Sequence, residues 1–238
     1  MLYSNAPIIE ATIDLCVELP ERFEFGLLES FQSELGEDFP YRQDISVDEF
    51  AVQPQQSIYT RKLIGYRFLS ANLRKIVQAR SNGMSYTALA PYEGWEAFAL
   101  EARIFWDKYR QHLKPTSVSR LAVRYINRLD VPMQTVELKD YLATFPEIAR
   151  GMPQILNSYF MQLALPMETF QATAVINQAI VPPPVIGTTS IMLDIDLFRD
   201  QNTPQDENSI WQAFELLRDG KNQIFNSCLT EKAKGLIV

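Results

Sequence analysis

The sequence predicts an α+β fold, in which a curved, mainly antiparallel sheet from two fused half-repeats carries long helices on one face. Three observations support this prediction. Several segments alternate apolar and polar residues, as half-buried strands do. Two long segments carry apolar residues at helical spacing. The order of these segments recurs after about 110 residues, so residues 1–115 and 116–238 are predicted to be two halves of one continuous domain.

The first half is predicted to begin with a strand and to end with a long helix. Residues 10–19 alternate between apolar and polar side chains, and a short helical segment follows them. Four further strands are predicted, the last two of which meet at a hairpin around Ser81-Asn82-Gly83. From Trp95 onward, aromatic and apolar residues recur at helical spacing until Pro115 ends the helix.

The second half repeats this order. The stretch "SRLAVRYINRLDVP", residues 119–132, alternates as a strand, and a short helix is predicted to start at Thr135. Three more strands are predicted before a long amphipathic helix, and they cover residues 157–167, 170–181 and 189–200. This order is that of the TATA-binding-protein-like arrangement, and a START-like helix-grip fold is the nearest alternative.

The charge is strongly segregated along the chain. Although the formal net charge is −7, residues 51–128 carry thirteen bases and only four acids. A candidate basic patch lies in this segment and consists of Arg61, Lys62, Arg67, Arg74, Lys75 and Arg80. Such a patch is typical of a phosphate-binding face, but it also suits the middle of a fold with acidic flanks. We favour the second interpretation, since an acidic protein is repelled by a polyanion at long range.

Three arginines recur every four residues in the central strand, and they share one side of it: Arg120, Arg124 and Arg128. The first strand carries acids at the same spacing, namely Glu10, Asp14 and Glu18. If the two strands pair antiparallel, the rows form a ladder of opposite charges. Asp194 and Asp196 add further carboxylates to an outward face. The rows therefore predict a candidate ion-pair face, and a free arginine row that binds an anion is the alternative.

Five motifs resemble a known family. They are "NAPIIEATIDL", "YTALAPYEGWEAF", "RLAVRYINRLDVP", "IMLDIDLFRD" and "IFNSCLTEKAKGLI". In this order they resemble a sporadically distributed family of uncharacterised bacterial and archaeal proteins, marked by N-terminal PIIEA and central RYINR. The resemblance spans nearly the whole chain. Its patchy occurrence implies an accessory role, such as defence or toxin control, and the family offers no biochemical activity that could be carried over to this chain.

The sequence carries no recognisable catalytic signature. His112, the only histidine, lacks sequence partners for a triad or a zinc site, and the chain has neither a P-loop nor GxGxxG. Asp194 and Asp196 suit Mg²⁺, but such pairs more often face arginine. We therefore predict a non-enzymatic cytoplasmic module without a cofactor or metal that binds another protein. Nucleic-acid binding and small-ligand binding are the two alternatives, and the oligomeric state stays open.

Overall fold

The computed structural model describes residues 5–53 and 56–237, and it describes side chains outside 50–58. Nine strands form one antiparallel sheet in the order β2-β3-β4-β5-β1-β6-β9-β8-β7. They are β1 (Ile8–Glu18), β2 (Tyr41–Gln53), β3 (Gln56–Leu69), β4 (Lys75–Arg80), β5 (Gly83–Leu89), β6 (Ser117–Val131), β7 (Phe160–Met167), β8 (Ala172–Val181) and β9 (Thr189–Arg199). The predicted α+β class and the curved antiparallel sheet are thus confirmed.

Two long helices and three short ones accompany the sheet. They are α1 (Gly26–Ser30), α2 (Gln32–Leu35), α3 (Trp95–Leu113), α4 (Glu207–Cys228) and α5 (Glu231–Lys234). Helix α3 packs on β5, and α4 packs on β6 and β9. Among the residues described, no helix combines the length and the apolar character that crossing a membrane requires.

The first strands of the two halves lie side by side in the centre of the sheet. β1 pairs antiparallel with β6, as the sequence predicts, and the strands of each half then extend outward from this pair. Each half ends with its long helix, α3 or α4. That the halves are related as repeats, in a TATA-binding-protein-like arrangement, stays a prediction.

The segment after β6 differs from its prediction. Instead of a helix starting at Thr135, only a 3₁₀ turn forms, at Leu138–Asp140. The next residues pair with the chain terminus, because the Ala143 N–H donates to the Cys228 carbonyl and the Thr230 N–H donates to the Tyr141 carbonyl. These tertiary bonds occupy backbone groups that a continuing helix would need for its own ladder.

The core lies between the sheet and the long helices. Trp95, Phe98, Ala102 and Trp106 of α3 are buried, as are Phe214 and Leu217 of α4, in agreement with the amphipathic pattern. Phe105 belongs to the same predicted apolar pattern of α3 but is only partly buried. At Gly220 the helix approaches the sheet closely, because a Cβ there would lie 2.6 Å from Leu197 Cδ2.

Candidate functional site

The sheet face opposite the two long helices, here called the open face, carries the charged rows that the sequence indicates. Its central strand is β6, which has β1 on one side and β9 on the other. Arg124 lies opposite Thr12 of β1 and opposite Asp196 of β9. The arginines of β6 therefore project between carboxylates of two neighbouring strands.

Asp14 is the centre of one ion-pair cluster. Its Oδ1 lies 2.5 Å from Arg80 Nη2, and its Oδ2 lies 3.4 Å from Arg120 Nη1. Arg120 also contacts Asp196, with 3.0 Å between Nη2 and Oδ2, and its guanidinium lies 4.4 Å from the ring centroid of Phe198. Two arginines, from β4 and β6, and two carboxylates, from β1 and β9, thus neutralise one another.

A bidentate pair joins Arg124 to Asp194. Arg124 Nε donates to Oδ1 over 2.8 Å, and Nη2 donates to Oδ2 over 2.7 Å. Asn177 Nδ2 donates a further bond to Oδ2 over 3.0 Å, and only 2% of Asp194 is exposed. The hydrogen bonds from Arg124 to Asp194 raise the pKa of the guanidinium. The carboxylate of Asp194 is therefore fully engaged, which leaves it poorly suited to a cation such as Mg²⁺.

The outer members of the two rows do not pair as expected. Arg128 Nε lies 3.1 Å from Asp130 Oδ1 on its own strand, and Glu18 accepts from Ser117 Oγ over 2.9 Å. Within the described chain, Glu10 forms no ion pair within 4.0 Å and acts on Arg124 only at longer range. In the β1–β6 register Arg124 lies opposite Thr12 and Asp14 lies opposite Ala122, so the acidic and basic rows are offset by two residues. Of the three acids of β1, only Asp14 contacts an arginine of β6, the diagonal neighbour Arg120.

The candidate basic patch is divided between different surfaces. Arg67 and Arg80 lie on the open face, whereas Lys75 Nζ bonds to Glu101 of α3 over 2.5 Å on the helix side. Arg61 and Lys62 belong to the part of the β2–β3 ribbon that extends beyond β4, because β4 pairs only with residues 65–69. Arg74 is exposed in the turn before β4. These six residues form no continuous cationic surface.

One hydrogen-bond acceptor on the open face has no partner among the described residues. This acceptor is the buried Asp196 Oδ1, whereas Oδ2 of the same carboxyl contacts Arg120. Burial raises the pKa of this carboxyl, against the influence of Arg120 and Arg124. It lines a depression of about 420 Å³ together with Asp14, Arg80 and Arg124.

Toward β7 the open face carries apolar side chains on both sides of a hydrogen-bonded polar row formed by Gln162, Asn177 and Asp194. The strand register places the following apolar side chains on this part of the face: Phe160, Ala164, Val175, Met192 and Phe198. Phe160 is 67% exposed, and Ala164 is exposed as well. The open face therefore combines a charge-balanced centre with an apolar flank.

The structure brings partners to His112 that the sequence did not reveal. Ser30 Oγ lies 3.0 Å from its Nε2, and Glu34 Oε1 lies 3.6 Å from its Nδ1. However, the Leu27 carbonyl lies 3.1 Å from the same Nε2 and can only accept. Nε2 therefore carries the proton and is not free to take one from Ser30, as a catalytic base must. This group of residues fixes α1 to α3.

A second candidate site, unpredicted from the sequence, lies on the helix side around Lys221. This lysine is on the buried face of α4 and is only 7% exposed. It lines a cleft of about 350 Å³ between β6, the start of α3 and α4. A signal was present in the sequence, because Lys221 follows Leu217 by four residues and precedes Ile224 by three. A helix with this spacing places the lysine on its apolar stripe.

The chain was compared with known proteins, and neither a protein-family model nor a curated protein matches it. The resemblance to the sporadically distributed family therefore stays a prediction.

Proposed function

We propose that the chain is a non-enzymatic module that binds another protein through the open face of its sheet. The observation that carries this proposal is that one uncovered face combines self-neutralised charges with an exposed apolar flank. The long helices, which form the other layer, pack on the opposite side. The resemblance described above adds the expectation of a bacterial accessory role.

The charge balance favours a protein over a nucleic acid as the partner. Four arginines and four carboxylates share the central part of the open face: Arg67, Arg80, Arg120, Arg124, Glu10, Asp14, Asp194 and Asp196. Binding to a polyanion requires cations that can neutralise phosphates and release counterions. Arg80, Arg120 and Arg124 are already held by carboxylates of the chain, so they contribute little to that release. The division of the basic patch between surfaces weakens the nucleic-acid alternative further.

The apolar flank carries the types of side chain that are common at protein–protein interfaces. Interfaces combine aromatic and apolar side chains with polar groups that find partners across the contact. Phe160 and Phe198 provide the first kind of group, and Gln162, which is exposed beside Phe160 on β7, provides the second. A partner with an apolar surface and a neutral side-chain donor, such as an amide, complements this face.

Photo-crosslinking in cells that express the protein tests the proposal. A photoreactive phenylalanine analogue replaces Phe160 on the open face or, as a control, Ile104, which is 46% exposed on α3. We expect a discrete protein adduct from position 160 only, and the purified adduct partner should bind the wild-type protein in vitro. The same binding should weaken at least tenfold in Phe198→Asp. Equal adducts from both positions, or a nucleic-acid adduct from position 160, would contradict the proposal.

A further inference from the structure

The cleft around Lys221 holds a cation that has no counter-ion among the residues the structure describes. Lys221 Nζ donates to Asn222 Oδ1 over 2.6 Å and lies 3.8 Å from the ring centroid of Tyr125. No described carboxylate lies within 4.0 Å of it, and the nearest like charge is Arg218 of the same helix. Arg218 itself has Glu215 and Asp219 within 3.7 Å, so only the lysine lacks an anionic partner.

A buried ammonium group without an anion is unfavourable. Taking a charge out of water is costly unless an opposite charge and hydrogen bonds replace the lost solvation. The contact with the Tyr125 ring and the bond to Asn222 offset only part of that cost. Accordingly, burial first and then Arg218 lower the pKa of Lys221 to about 7. The side chain thus lacks an anion that any of the described residues could provide.

The remaining walls of the cleft suit a small organic molecule. Ile8, Trp95 and Phe225 supply apolar surface, and the volume of about 350 Å³ lies in the usual range for small-ligand pockets. Glu93 and Glu96 also line the cleft, but neither lies within 4.0 Å of the Lys221 ammonium. Their negative charges repel a phosphate dianion more strongly than a monoanion, so the cleft favours a monoanion.

We propose that this cleft binds a small monoanionic organic carboxylate, whose oxygens accept from Lys221 and whose body lies against Ile8, Trp95 and Tyr125. This site lies on the helix side of the sheet and is independent of protein binding at the open face.

Binding at this site is coupled to protonation. Lys221 must be charged to hold the carboxylate, so above pH 7 the affinity should fall up to about tenfold per pH unit. The other titratable or charged groups that face the cleft are Tyr92, Glu93, Glu96, Tyr125 and Arg218. Burial raises the pKa of Tyr92 to about 12 and raises that of Tyr125 as well, so neither tyrosine titrates between pH 6 and 9.

Calorimetric titration with benzoate tests the proposal, and chloride and inorganic phosphate at equal ionic strength serve as comparison anions. We expect benzoate to bind at pH 6.5, to bind at least tenfold more weakly at pH 9, and to lose measurable binding in Lys221→Met. Lys232→Met is the matched control, because Lys232 also lies over a tyrosine ring, at 4.8 Å from Tyr141, but is paired with Asp140 on the surface. Tighter binding of phosphate than of benzoate, or unchanged binding in Lys221→Met, would overturn the proposal.

A second measurement uses the unaltered chain and does not depend on how a variant folds. Acetic anhydride at pH 7 modifies neutral amines, and peptide mass spectrometry follows each lysine separately. We expect benzoate to slow the modification of Lys221 at least fivefold while leaving Lys232 unchanged. Equal rates at Lys221 with and without benzoate would contradict binding at this cleft.

Discussion

Replacing Lys221 by Met is expected to stabilise the protein relative to wild type at neutral pH, by an amount that shrinks as the pH rises. The folded-state pKa of Lys221 is lowered to about 7, chiefly by burial. In the unfolded chain a lysine titrates near pH ~10.4. Between these values the unfolded chain binds a proton that the folded chain does not. The free energy of unfolding of the wild type therefore rises with pH across this window.

The magnitude follows from the size of the pKa shift. Each pH unit in the window corresponds to about 1.4 kcal/mol, so the penalty at pH 7 is about 4 kcal/mol. At pH 9.5 only about 1 kcal/mol of it is left. A methionine fills the same position with an unbranched apolar chain and carries no proton. It also loses the contacts with Asn222 and Tyr125, which reduces the absolute gain but adds no pH dependence in this range.

Urea denaturation of wild type and Lys221→Met at pH 7, 8 and 9.5 measures this effect. We expect the difference in free energy of unfolding to change by about 3 kcal/mol between pH 7 and 9.5. Titrations common to both proteins cancel in this difference. In the control Lys232→Met the difference should stay flat, because Asp140 raises the pKa of Lys232 and its contribution is fully present below the unfolded value. A flat difference for Lys221→Met would refute the reasoning.

Five further substitutions test the packing and the ion pairs, each by a denaturant melt. Arg124→Ala should lower the free energy of unfolding by about 1–3 kcal/mol, because its buried carboxylate partner loses a bidentate bond. Arg128→Ala should lower it by less than about 1 kcal/mol, because this ion pair is more exposed. Phe214→Ala should cost about 3–5 kcal/mol, since this ring is 0% exposed, and Phe105→Ala should cost clearly less. Gly220→Ala should cost about 1–3 kcal/mol by overpacking the helix against the sheet, and an unchanged melt would contradict that close contact.

Much of the fold follows from local patterns along the chain. The alternation in β1 and β6 and the apolar stripes of α3 and α4 are set by which residues must leave water, and each pattern spans enough residues to be unambiguous. The segment 135–148 shows the limit of this reasoning. Its helical pattern is short, and backbone pairing with residues 228–230, distant in sequence, decides its conformation instead.

The candidate sites were predictable only in part, for a related reason. The parity of β6 places its three arginines on one face, but which carboxylate each arginine meets depends on the order of the strands. β9 lies beside β6, so Arg124 bonds to Asp194 rather than to Glu10 of β1. Lys221 was missed, although its spacing marks it as facing inward. Its isolation from carboxylates is a property of the assembled cleft and is not visible in the sequence.

The central claim is that the arginines of the open face are already neutralised by the chain's own carboxylates. The face therefore suits a protein partner better than a polyanion. Fluorescence anisotropy with a labelled DNA duplex at two salt concentrations, on wild type and Arg124→Ala, tests it most directly. We predict weak binding that the substitution leaves unchanged at both salt concentrations. A stable Arg124→Ala protein that loses DNA affinity, with a salt dependence flatter by about one unit of slope, would contradict the account and identify the face as a nucleic-acid interface.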